Sequence, residues 1–425
     1  RAQELQVGND VDRKRVTTTV KRTMPEVRLL SGTSVLQDAE CSAVQELRNL
    51  AAAQLGAPAA RVRLLLGAEV LEDSQQVSEL GDAPVVTAVV LAQSLALSGH
   101  ADSCVRIWDL AARPEHTPGL VSTIEGHGDA ITAVYVDWSA MRAITGSADW
   151  TLRVWNIKGL EANCEGVLRG HSGPVCAVCA NFQTWPPLEV LGTLPQDEEK
   201  ASGDTLSPRH GCAVSGGEDG VVIVWDLEEM TVIMKLTEEH HVKQVYAVAL
   251  ATLGPSANLA VSAGRDAALY VWDLPTSTLR CRLEGHGSWV LALCVDADGQ
   301  YALTASKDRS LRLWDLRVRR CSAAFLGHDE AVTCASADFA QWRALSGSED
   351  RTLRIWDLDA VTCLAVINAD SQGHVRSLCA NFETQRAVVG CHMGTLATWD
   401  LSACCLLQTI ASDGGSVNTV QAEQV

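Results

Sequence analysis

The sequence predicts a mainly β chain built from one recurring unit of short antiparallel strands, with a smaller α+β module ahead of it. Three observations carry this expectation. The first is the stretch Gly327 to Leu358, GHDEAVTCASADFAQWRALSGSEDRTLRIWDL. Its alternating runs Val332 to Ala337, Arg343 to Ser346 and Leu353 to Trp356 are separated by small or acidic residues. Alternation of period two, broken by turn residues, marks short strands. The second is recurrence: Trp108, Trp155, Trp225, Trp272, Trp314, Trp356 and Trp399 follow one another at 47, 70, 47, 42, 42 and 43 residues. All but Trp155, which precedes Asn156, are followed by Asp. The third is a change of pattern between Pro25 and about Ala92, where strand-like runs flank a helix-like one.

These residues resemble the WD-repeat family, whose pattern is a Gly-His pair, a turn Asp and a Trp-Asp ending, repeated about every 40–45 residues. The likeness covers roughly residues 95 to 420 and implies a seven-bladed β-propeller. It implies little about activity, because one fold hosts many functions.

The totals narrow the function classes. At 425 residues the chain exceeds what one small core holds together, so a large propeller plus a second unit is expected. A formal net charge of −18 disfavours sequence-independent nucleic-acid binding and anionic membrane surfaces, both of which rest on Lys and Arg. No apolar run approaches the ~18 residues of a spanning helix, and no signal-peptide pattern is read at the start of the sequence. The 15 cysteines are odd in number and scattered over strand positions such as Cys176, Cys294 and Cys334. They read as buried reduced thiols, which implies cytoplasm or nucleus.

Residues 1–24 lack an apolar period and are expected to form a disordered tail. Residues 25–92 read as strands at Val27 to Leu30 and Thr33 to Leu36, a helix over Val44 to Leu55 ended by Gly56, then strands at Arg61 to Gly67, Val70 to Asp73 and Val85 to Leu91. With the segment RLLLGAEVLEDS, this order resembles the ubiquitin-like β-grasp family. The resemblance implies an apolar recognition patch at Leu65, Gly67 and Val89, able to meet components of the ubiquitin system. It does not imply a conjugated modifier. Gln93 and Ser94 run straight on where that family ends in Gly-Gly, and Glu69 stands where it has its best-known chain-forming Lys. A plain structural cap is the competing reading.

Residues 94–425 are assigned to the propeller. Blade one lacks an inner strand of its own, and residues 416–421 repeat the inner-strand pattern, so the chain's end is expected to complete it. Blade three carries an insertion at about 185–210, rich in Pro, acidic and small residues, which is expected to be disordered.

A set of His, Ser or Thr, Asp and Trp recurs at matching places. It reads His127, Thr145, Asp149, Trp155; His171, Ser215, Asp219, Trp225; His241, Ser262, Asp266, Trp272; His286, Thr304, Asp308, Trp314; and His328, Ser346, Asp350, Trp356. One such set would suggest a hydrolase triad. Five copies contradict that, because catalysis needs one activated nucleophile at one oxyanion site. In the family resembled, the quartet is a buried hydrogen-bond chain. Blades one and seven lack it, with Asp413 and Ser371 at the His places and Val389 and Met393 replacing the hydroxyl and the Asp of blade seven. The ring is therefore expected to be least rigid at that seam.

No cofactor, metal or nucleotide site emerges. Cys176 and Cys179 are spaced so that a strand turns them to opposite faces, and no phosphate-binding glycine loop occurs. The expected function is a non-enzymatic scaffold or adaptor for proteins or peptides; a substrate receptor or adaptor in the ubiquitin–proteasome system is the alternative, and a hydrolase is disfavoured. The alternative draws on Trp314-Asp315-Leu316-Arg317, which resembles the W-D-x-R motif by which propeller receptors reach cullin-ligase linkers. Arg376 is the lone Arg at its inner-strand position; its equivalents are Thr132, Cys176, Tyr246, Leu291, Thr333 and Asn418.

Overall fold

The computed structural model describes residues 15–21, 24–29, 34–36, 44, 49, 62–66, 69–70, 85–90, 95–110, 119–158, 162–185, 209–236, 241, 243–251, 259–369, 373–413 and 415–423. They divide into two compact units, 1–93 and 94–425.

The first unit holds strands β1 (Arg15–Lys21), β2 (Met24–Leu29), β3 (Ser34–Leu36), β4 (Val62–Leu66), β5 (Glu69–Val70) and β6 (Val85–Val90). They form one sheet in the order β3-β2-β1-β6-β4-β5. Val44 and Asn49, within the expected helix, are helical, with Val44 buried and Asn49 exposed; the rest of that helix lies outside the described residues. One expectation is corrected. Residues 15–21, placed in a disordered tail, form β1, which pairs antiparallel with both β2 and β6. Val16, Thr17, Thr18, Thr19 and Val20 are all β-branched, which favours a pleated sheet even where apolar periodicity is weak.

The second unit is seven four-stranded antiparallel sheets. In blade six the strands are Val332–Asp338, Arg343–Ser348, Thr352–Asp357 and Thr362–Asn368, from the axis outward. The inner strands of successive blades touch around the ring, and the last, Val417–Ala422, touches both blade seven and blade two. That strand pairs with Leu95–His100, so blade one is built from both ends of the unit. Around the insertion, Val175–Trp185 and Arg209–Gly217 pair as far as Trp185 and Arg209, so the ladder enters the segment expected to be disordered; residues 186–208 lie outside the described residues.

The core lies between blades rather than within them. Among the described residues there is one apolar cluster for each of the seven interfaces. The inner-strand valine of one blade presses on the second strand of the blade before it. A Cβ on Gly216 or Gly347 would collide with Val245 or Val375. Because blades pack on both faces, second strands such as Leu259–Gly264 are buried along their whole length. Outer strands such as Thr362–Asn368 keep an exposed side. The cluster joining blades seven and one, around Trp108, Val388, Leu396 and Val417, is the smallest.

Removing residues 416–425 should open the ring, since Val417 and Val420 are buried there and Leu95–His100 would become an unpaired, fully buried-type edge. The expected result is loss of a single cooperative thermal transition together with aggregation of the shortened chain. A shortened chain that stays monomeric, with an unchanged midpoint, would contradict this closure.

Candidate functional site

Each quartet draws on four elements of its blade: the loop before the inner strand (His), the second strand (Ser or Thr), the following turn (Asp) and the third strand (Trp). In blade six, His328 Nδ1 lies 2.7 Å from Asp350 and Nε2 lies 2.8 Å from Ser346 Oγ, which accepts the Trp356 indole N–H at 2.8 Å. Blade two has 2.8, 2.8 and 2.9 Å for the same three bonds, and blade five has 2.8, 2.7 and 2.8 Å. In blade three the His171–Asp219 contact is 3.0 Å, with 2.7 Å to Ser215 and 2.8 Å from Trp225. Blade four has 2.9 Å from His241 to both Asp266 and Ser262, and 2.8 Å from Trp272.

The carboxylate can only accept, so Nδ1 carries the ring proton. Nε2 then accepts from the hydroxyl, whose oxygen accepts from the indole. Every polar hydrogen is used. The Ser–His–Asp contacts have the distances of a hydrolytic triad, yet the five hydroxyls are 0% exposed and lie under the indole. No carbonyl can reach them, so the quartets hold strands and do not attack substrates.

Their electrostatics follow. Burial raises the Asp350 carboxyl, but hydrogen bonds from Thr352 and His328 outweigh it and bring it down to about 2. Asp149 and Asp308 sit further below the usual carboxylate range for the same reasons, burial opposing and hydrogen bonds prevailing. Burial holds His127 and His328 below the ordinary imidazole value despite the carboxylate beside each.

At the seam the two blades differ. Blade one replaces the quartet with another chain. Trp108 donates to Ser98 at 2.6 Å, Ser98 meets His100 Nε2 at 2.7 Å, and His100 Nδ1 lies 3.1 Å from Ser412. Asp102 instead takes Arg106 in a two-pronged pair at 3.1 and 2.6 Å. The sequence held the signal: Ser98 and His100 stand two apart on one strand and therefore share a face. Burial first, then the Arg106 charge, lowers the His100 imidazole to about 4. In blade seven, with Val389 in place of the hydroxyl, the Trp399 indole N–H is buried without an acceptor, a loss of about 1–3 kcal/mol. The seam's weakness is therefore confined to blade seven and the small apolar cluster beside it.

One face carries the side chains that vary. In every blade the turn after the second strand donates a backbone hydrogen bond to the residue ahead of the inner strand. The pairs are Ala101–Ser416, Ala148–Ala130, Glu218–Pro174, Arg265–Gln244, Lys307–Trp289, Glu349–Ala331 and His392–His374. Arg376 is exposed on this side, 3.3 Å from His392. A cluster not foreseen from sequence stands on blades four and five. Arg265 lies 4.7 Å and Lys307 4.3 Å from the Trp289 ring centroid, with the Tyr246 ring 5.9 Å away. Arg317 is elsewhere, exposed, bonded to the Tyr301 hydroxyl at 2.7 Å and to Asp315 at 3.3 Å. Of the positions expected to form an apolar recognition patch, Leu65 lies on β4 and Val89 on β6, their side chains outside the described residues, as is Gly67 altogether.

Among the described residues no three His, Cys, Asp or Glu side chains gather where they could hold a metal ion. No helix of the described residues is long and apolar enough to cross a membrane. Burial pushes the Cys176, Cys294 and Cys334 thiols up to about 12. Cys164, Cys363, Cys404 and Cys405 are exposed, contrary to the expectation of buried thiols, because they sit on outer strands or their turns, where no further blade covers them.

Two outcomes are expected. A His with a lowered folded-state pKa binds its proton more readily when unfolded, so its contribution is complete above about pH 6.5 and declines as pH falls toward the folded value. His100 alone should cost roughly 2–3 kcal/mol by pH 4.5 relative to pH 7, with His127 and His328 acting in the same direction. Urea midpoints that stay level over this range would contradict it; His100→Gln should flatten the dependence. Amide exchange should be fastest in blade seven, with blade one as slow as blade five, and Val389→Thr should add about 1 kcal/mol by supplying Trp399 an acceptor.

Three segments, 119–156, 277–315 and 319–357, match the family described as WD domain, G-beta repeat. They end on the Trp-bearing strands of blades two, five and six. No curated protein matches the chain as a relative. Repeats, quartets and ring together identify a chain that carries WD40 repeats on a seven-bladed β-propeller.

Proposed function

We propose that the protein is a non-enzymatic scaffold or adaptor that binds other proteins or peptides, working in the cytoplasm or nucleus. The observation that carries this reading is the variable face. Seven equivalent backbone hydrogen bonds hold the same frame in every blade, while the side chains they present differ from blade to blade. A rigid frame with non-repeating, exposed side chains suits recognition, whereas the repeated polar groups are buried and saturated. WD40 propellers typically bind proteins.

The test is affinity purification with the full chain and a variant reversing three exposed charges on that face, Glu218→Arg, Glu349→Arg and Arg376→Glu. These side chains are surface-placed, so stability should hold within about 0.5 kcal/mol. Partners retained by the parent should be lost from the variant. Equal recovery from both would remove this face from the proposal.

A narrower reading makes the scaffold a substrate receptor or adaptor in the ubiquitin–proteasome system. It rests on Arg317, whose guanidinium stays at the surface after bonding Asp315 and Tyr301, and on the ubiquitin-like sequence of residues 25–92 with its patch at Leu65, Gly67 and Val89. Arg317→Ala should then abolish recovery of a cullin-linker protein, and Leu65→Ala recovery of ubiquitin receptors. Recovery of neither by the parent chain ends this reading and leaves the broader one standing.

A further inference from the structure

We infer that the face of blades four and five binds a short acidic peptide segment, with Arg265 and Lys307 neutralising its carboxylates over the ring of Trp289. The inference rests on the scaffold reading above and names the chemistry of the partner.

Three facts make this sector unlike the other five. Trp289 stands directly ahead of its inner strand, half-buried, and its carbonyl is fixed by the Lys307 backbone N–H at 2.8 Å. Two cations approach the same indole, Arg265 at 4.7 Å and Lys307 at 4.3 Å from its centroid, so the two charges lie no more than about 9 Å apart. Neither forms an ion pair among the described residues: Arg265 gives one Nη1 bond to the Gln244 side-chain oxygen at 3.1 Å, and Lys307 is exposed. The equivalent places in blades one and two are Ala101, Ser416, Ala148 and Ala130.

The magnitudes argue against stacking as the whole reason. A cation over an exposed aromatic ring gains about 0.5–1 kcal/mol. Two like charges several ångströms apart in a partly solvated setting repel by a similar amount. Sharing one ring they gain little net, in a chain that carries 52 acidic against 34 basic residues. Ligand carboxylates that meet the two cations offset the repulsion and receive charge-assisted hydrogen bonds from a guanidinium fork and an ammonium. Trp289 and Tyr246, ring centroids 5.9 Å apart and planes inclined by 38°, add an apolar surface for the peptide's own stem.

The flanks set the ligand's length. Glu218 on blade three is near enough to Tyr246 that, after burial, its charge helps push the phenol up, although Arg265 pulls the other way. Glu349 occupies the corresponding turn of blade six. An extended acidic tract would run into these carboxylates. A pair of acidic residues followed on either side by neutral or basic ones fits. The net charge of −18 does not prevent this, because charges beyond roughly 8 Å are largely screened at physiological ionic strength, leaving the local sector to decide.

The experiment is fluorescence anisotropy with the full chain and a labelled peptide of adjacent glutamates between serines, with lysines at its ends. The expected result is saturable binding that weakens as salt is raised. Lys307→Glu and Arg265→Glu should each lose roughly tenfold or more, Trp289→Leu should weaken it, and a glutamine version of the peptide should not bind. Near-ultraviolet circular dichroism checks that the variants are folded, and Lys307→Met, which keeps the stem, separates charge from packing. Equal binding by Lys307→Glu, equal binding of the glutamine peptide, or binding of a phosphoserine peptide alone would each overturn the inference. The use of this face by the scaffold is tested separately: it falls if the three-charge variant keeps every partner, whereas intact partner recovery by Lys307→Glu alone sinks only the acidic-peptide assignment.

Discussion

One bond organises the propeller: the indole N–H of a third strand given to a hydroxyl buried on the second. Apolar packing between blades supplies most of the stabilisation, but it has no direction. A strand of alternating Val, Leu and Ala could slide by two residues and still bury its apolar side. The Trp–hydroxyl bond forbids this, because any slip strands a donor in a water-free interior. The histidine and aspartate extend the same constraint outward, tying the turn and the entering loop to the strand pair. Each of blades two to six is thus locked at four points by three hydrogen bonds that continue one another.

Blades one and seven are where the constraint is tested. In blade one the histidine comes from the strand itself rather than from the loop, so the seam strand donated by the far end of the unit does not have to bring one with it. His100 reaches Ser412 across the closure instead, and the ring's two ends meet through a side chain as well as through the sheet. Blade seven has no such substitute. Val389 fills the space of the hydroxyl with a methyl group, and Trp399 keeps its packing but not its bond.

What repeats was legible in the sequence, and what does not repeat was largely hidden. Seven Trp residues spaced by 42–47 residues, apart from the one gap of 70 that holds the insertion, reveal the blades because alternation and turns recur with them, and five quartets show through because hydroxyl, Asp and Trp keep fixed offsets with a His ahead of them. His100 escaped because a column-by-column comparison looks for a histidine in the loop, whereas the backbone only requires one on the correct face. The Trp289 cluster escaped for the opposite reason. Arg265 and Lys307 come from turns of neighbouring blades, 42 residues apart, and only the ring brings them onto one indole. Strand β1 was passed over because threonine contributes to a sheet through its branched Cβ rather than through apolarity.

The split blade has a meaning for synthesis. Val417 pairs with His100 only after more than three hundred further residues have left the ribosome, which at about 5–20 residues per second takes tens of seconds. Until then Leu95–His100, whose side chains all end up buried, waits as an open apolar edge. Six blades can form in order while the first remains incomplete. A chain that stalls or is cut before its last strand is therefore not a slightly shorter propeller but a sticky one, and its survival depends on whatever shields that edge in the interval.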